Sequence, residues 1–154
     1  MERKIHINQD TTANLSNEKL DELVFNKANE KYYETFGEPF LENPNDILML
    51  QIFSCCVLDF EVRNGGFDQF FLNNENLIDF ALAGLQKIGA AEHINLLRAA
   101  TKIYSEQKNQ FKDGRNLNLY ELDEKYYTLT DVSEIRQKFV AANIEKFYDE
   151  KSYR

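Results

Sequence analysis

Asp59, Glu61 and Asp68 flank the glycine pair Gly65-Gly66, and theirs are the residue types that could do general acid–base work or hold a divalent cation. The pattern falls short of both tasks. Glycoside-type hydrolysis needs two carboxylates at a set separation across a cleft, and a metal site would draw on histidine or spaced cysteines. This chain has only His6, His93 and the adjacent pair Cys55-Cys56. Arg63 stands among the three acids, so ion pairing and capping account for them more simply. Gly65-Gly66 lacks the glycine spacing and Lys-Ser/Thr of a phosphate loop, and no strand precedes it. No Gly-x-Ser-x-Gly elbow occurs, and burial in an apolar helix would keep both thiols protonated and inert. We therefore expect no catalytic residue, no metal ligand and no cofactor. A small-molecule hydrolase using Asp59, Glu61 and Asp68 is the alternative from another class.

The elements that must position these residues are helical. Ser16 is placed to cap a first helix carrying Leu20, Leu23, Val24 and Ala28, which runs to Phe36 and ends where Gly37 supplies a cap and Pro39 forbids continuation. A second helix starts at Pro44 or Asn45, and its apolar residues from Ile47 to Phe60 cover nearly the whole circumference, which puts the 47–63 helix at the centre of a bundle. Asn64-Gly65-Gly66 should end it in a left-handed terminus where the chain reverses. Phe67, Phe70 and Phe71 then read as core on a short helical segment, with Asn64, Gln69 and Asn73 tying free backbone groups of the turn. Asn76 is a plausible cap for a helix through Ile78, Leu82, Leu85 and Ile88, and after Gly89 the series Ile94, Leu97, Tyr104 completes an αα-hairpin over 77–109. Asp113-Gly114 marks a turn, 119–127 a short helix, and Asp131 or Ser133 caps a last helix running almost to the C-terminus. The prediction is an all-α, single-domain bundle of six to seven helices over 15–150, behind a flexible segment at 1–14.

Composition agrees with a single core. Apolar residues make up 43% of the 154 and aromatics 13%, enough burial to offset chain entropy without cross-links. The balance of 26 acids against 18 bases leaves a formal −8, so free nucleic acid and anionic membranes should repel the chain. The most apolar stretch, 47–60, is too short and too acid-flanked to span a bilayer, and no signal-peptide pattern opens the sequence. A cytoplasmic protein is expected.

Three segments together resemble a known family. They are Asn64-Gly65-Gly66-Phe67-Asp68-Gln69-Phe70-Phe71-Leu72-Asn73, the 77–90 helix with its Ile88-Gly89-Ala90 end, and Leu122-Asp123-Glu124-Lys125-Tyr126-Tyr127. Over residues 20–148 the chain is similar to a bacterial family of domains of unknown function grouped with a DNA-mimic protein. The resemblance implies a small, acidic, helical protein that occupies a DNA-binding surface on another protein. It implies no catalytic residues, and it makes Asn64, Gly65, Gly66, Phe67, Gln69 and Phe70 a structural turn.

A mimic must put carboxylates where phosphates would stand. Glu18 with Glu22, Glu30 with Glu34, and Glu145 with Asp149 have one-turn helical spacing, but Lys19, Lys27, Lys31 and Lys146 are interleaved with them, as on ordinary solvated faces. Between 37 and 74, by contrast, Glu38, Glu42, Asp46, Asp59, Glu61 and Asp68 face only Arg63, leaving −5 of the net −8 in that stretch. Glu38, Glu42, Asp46 and Asp68 are accordingly the expected partner-binding residues, and a basic or DNA-binding protein the expected partner. An immunity protein neutralising a toxin would use the same electrostatics, and a module that merely forms homodimers is a third reading.

Overall fold

Asn8 and Thr11 cap each other's backbone N–H groups and open α1 (Gln9–Thr12), a single turn, in a computed structural model that describes residues 4–107 and 116–149. Just before it Ile7 is fully buried, and Asp149 bonds its backbone: the Ile7 N–H donates to the Asp149 carboxylate, and the Asp149 N–H donates to the Ile7 carbonyl. Ser16 accepts from the Lys19 N–H, as its position predicts, and starts α2 (Asn17–Glu34). The end of α2 holds a surprise. Phe36, not Gly37, takes the position after the C-cap, with φ 56°, while the Gly37 N–H reaches back to the Tyr32 carbonyl and the Phe36 N–H to Tyr33. That is a Schellman terminus with a bulky aromatic where glycine is usual, a substitution costing about 1–2 kcal/mol.

α3 (Asp46–Asn74) carries the core, because Ile52, Phe53, Ser54 and Cys55 are buried in succession and no single face accounts for them. It packs against α2, α4 (Ile78–Ile88), α6 (Tyr120–Thr128) and α7 (Val132–Ala142). The stop expected at the glycine pair is instead a kink: Gly65 and Gly66 leave helical geometry, with Gly66 at φ 79°, ψ 179°, and the helix resumes at once through Phe67, Phe70 and Phe71, all buried. The chain does not need to end its helix there, since an acceptor outside α3 satisfies the first N–H of the second half.

A short 3₁₀ turn (Glu75–Leu77) leads into α4, whose N-cap position falls to Leu77 without a side-chain bond, because the Asn76 amide is engaged elsewhere. Gly89, at φ 77°, ends α4 and α5 (Ala91–Gln107) follows, giving the predicted hairpin. Gly84 fixes how closely α4 lies on α3: a Cβ there would stand 2.3 Å from the Gln51 carbonyl oxygen and 2.4 Å from Cys55 Sγ. Asp131 caps α7 through the Ser133 N–H. That helix stops at Ala142, earlier than its periodicity suggests, and a 3₁₀ turn (Ile144–Phe147) buries Phe147. Among the described residues there is no strand, and the Asp113-Gly114 turn lies outside them. No helix among them is long and apolar enough to cross a membrane.

Candidate functional site

The kink is built by two segments that are far apart in sequence. Gly66 adopts a backbone region open essentially to glycine alone, and its Cα lies so close to α6 that a Cβ would meet Asp123 Oδ2 at 2.5 Å. The buried Phe67 N–H donates to Asp123 Oδ1 at 2.8 Å, so the carboxylate of another helix caps the second half of α3. Phe67 stands edge-on to the Tyr126 ring at 5.7 Å, the Tyr127 hydroxyl donates to the Val62 carbonyl, and the Tyr126 hydroxyl donates to Asp59 Oδ1 at 2.8 Å. Gln69 folds over Gly65 and Asn73 donates to Glu61, while Asn64 sits exposed at a cleft edge. The expected polar ties from Asn64, Gln69 and Asn73 thus do not reach the Phe67 N–H; Asp123 does.

The remaining carboxylates sort by fate. Asp46, at 2% exposure, accepts from Lys31 Nζ at 2.6 Å and from the Asn43 N–H, beneath a lysine that also lies over the Phe40 ring. It turns away from solvent, contrary to the expected exposed position, because a short carboxylate at the first turn of α3 is within reach of α2. Asp68 is half-buried and accepts from the Asn116 N–H at 2.8 Å, tying α3 to the segment before α6. Asp21 is buried against Arg136, which donates through Nε and Nη2. Of the four expected partner-binding acids only Glu38 and Glu42 face solvent, and neither has an ion pair among the described residues.

An open cleft of about 790 Å³ runs between α2 and α3, bounded by Phe25, Phe53, Phe60, Asp59, Glu61 and Arg136 among others. Two of the three acids of the hydrolase alternative line it and Asp68 does not. Asp59 is held by Arg63 and Tyr126 together, and Glu61 by Asn73. Burial, reinforced by the Asp59 charge, raises the Tyr126 hydroxyl far above its ordinary value, and burial pushes the Cys56 thiol up to about 12. Both groups therefore keep their protons at neutral pH. His93 stacks edge-on to Tyr126 with its Nε2 buried and without a hydrogen bond, and desolvation lowers its pKa. Among the described residues no three His, Cys, Asp or Glu side chains gather as metal ligands would.

A family model described as DMP19-like protein matches residues 47–147. The chain belongs to the DMP19-like family. This is a DNA-mimic family, in keeping with the three segments singled out in the sequence. No curated protein and no solved structure matches the chain. All three segments lie inside the matched span, and two of them, 64–73 and 122–127, meet at the Phe67–Asp123 bond, so the family marker is a structural lock. The matched span begins after Asp46, later than the residue 20 expected. Charge is divided unevenly by that boundary: residues 1–46 hold ten acids and five bases, whereas 47–147 hold fourteen and eleven.

The structure gives surface residues roles that the sequence alone does not assign. Asn76 donates to the Gly37 carbonyl at 2.8 Å and pairs with the Tyr32 hydroxyl, which brings the start of α4 against the turn bearing Glu38. Glu34, on the last turn of α2, and Asp79, on the first turn of α4, are exposed beside it and carry no ion pair among the described residues. Their sequence signal is weak, since Lys31 near Glu34 suggests local neutralisation, whereas in the fold Lys31 is committed to Asp46.

Proposed function

We propose that this DMP19-like protein binds the basic, DNA-contacting surface of another protein and blocks it, with exposed carboxylates standing in for phosphates. The observation that carries the proposal is the α2–α3 turn and its surroundings, where Glu34, Glu38, Glu42 and Asp79 are exposed with no lysine or arginine paired to them among the described residues. Such unrelieved like charge favours association with a cationic surface and speeds the encounter. A transcription factor, a nuclease or a nucleoid protein has such a surface. Binding is the whole activity assigned, with no catalytic step, no cofactor and no direct contact with nucleic acid.

The test is capture. Immobilised protein exposed to bacterial lysate in low salt should retain a basic protein, release it as salt rises, and release it again when duplex DNA is added. Retention that ignores both salt and duplex DNA would overturn the proposal.

A further inference from the structure

Phe36 is 95% exposed and its neighbour Tyr33 84%, the two most exposed large apolar side chains described. Phe36 also sits in the left-handed region at φ 56°, a conformation glycine takes freely and an aromatic residue rarely adopts. The turn is nonetheless held firmly. Thr35 Oγ1 lies within hydrogen-bond distance of the Lys31, Tyr32 and Glu38 carbonyl oxygens, and Asn76 grips the Gly37 carbonyl from outside α2. The fold thus fixes the backbone under an aromatic ring that none of its own core receives.

We propose that Phe36, with Tyr33 beside it, is the apolar anchor by which this protein seats on its partner, the ring entering a recess in an otherwise basic protein surface. The proposal rests on the blocking function above and names the contact that would give it a fixed register. The charge around the ring selects the occupant. Glu34, Glu38 and Glu42 flank it in sequence and are exposed, and the nearest lysine, Lys31, is taken by Asp46. An anionic membrane would be repelled by those glutamates, and a second copy docking through the same patch would set glutamates against glutamates. A basic surface is complementary to the rim, and an aromatic anchor ringed by polar groups matches the usual anatomy of a binding hot spot.

The experiment uses Phe36→Gly, Phe36→Asn and the triple variant Glu34→Gln/Glu38→Gln/Glu42→Gln in the full chain. The probe is the fraction of bacterial lysate proteins eluted from a duplex-DNA column, applied to each immobilised variant across a salt series. Glycine and asparagine both tolerate the left-handed position, so both single variants should melt at or above the wild-type temperature. They should retain the probe proteins at least about tenfold more weakly, with an unchanged salt slope. The triple variant should lose most of its salt slope instead. Wild-type retention by both Phe36 variants, or a lowered melting temperature in both, would overturn the anchor and leave the blocking function standing. An unchanged salt slope in the triple variant, or no retention by wild type, would overturn the blocking function itself. A wild-type dimer in sedimentation that Phe36→Gly dissolves would assign the patch to self-association and overturn the anchor.

Discussion

Residues 35–46 and 59–73 are both acid-rich, and counting charge treats them as one negative stretch, yet the two use their carboxylates in opposite ways. In the second, Asp59 holds Arg63 and Tyr126, Glu61 holds Asn73, and Asp68 holds the Asn116 N–H. In the first, Glu38 and Glu42 project into solvent and Asp46 alone turns inward. Side-chain length explains part of the split. Aspartate places its carboxylate close to its own backbone and loses little rotamer freedom when fixed, so it serves as a staple between elements, whereas glutamate loses more when immobilised and does better at the surface. Asp21, Asp46, Asp59, Asp68, Asp123 and Asp149 all bind groups at least 15 residues away. Net charge therefore overstates the charge available to a partner.

The sharpest way to break this comparison is to unpair an inward carboxylate. Arg136→Met leaves Asp21 buried without its guanidinium and should cost about 3–5 kcal/mol in urea unfolding, most of it recovered in the double variant Asp21→Leu/Arg136→Met. A small effect from the single change would mean that Asp21 finds solvent and is no staple. Gly66→Ala should cost at least about 2 kcal/mol, because the new methyl group meets Asp123 in a backbone region forbidden to alanine. Asp123→Ala leaves the buried Phe67 N–H without an acceptor, a loss of about 1–3 kcal/mol that denaturant titration would resolve.

His93 sharpens the same side of the comparison by its pH dependence. Desolvation depresses its folded pKa, opposed by Asp59, so the unfolded chain takes up the proton first as pH falls. Stability should decline from about pH 7 towards pH 5 in the wild type, and His93→Phe should remove that share of the decline; an unchanged slope would show that His93 is not desolvated. The smallest stability effect belongs to the outward side. Glu38→Gln/Glu42→Gln should move the unfolding free energy by no more than about 0.5 kcal/mol while weakening low-salt capture of basic proteins. A large stability loss there would erase the distinction between the two stretches.

Helix starts, the Ser16 and Asp131 caps, the Gly89 terminus and the phenylalanine core were legible in the chain, because each rests on neighbours within about one or two turns. The kink was half legible. Gly65-Gly66 announced a break in helical geometry, but whether the helix ended or restarted depended on Asp123, whose carboxylate arrives from α6. At the end of α2 the local rule pointed to Gly37, which is left-handed at φ 79°, and the fold placed Phe36 before it in the same region, with Asn76 gripping the Gly37 carbonyl.

The sequence by itself determined an all-helical chain, its membership of a DNA-mimic family and its overall negative charge, since periodicity, a contiguous motif and composition are local or additive properties. Only the tertiary structure decided which carboxylates remain at the surface. That outcome turns on whether a cation, hydroxyl or backbone N–H from a distant segment comes within about 3 Å, and no count along the chain contains that distance.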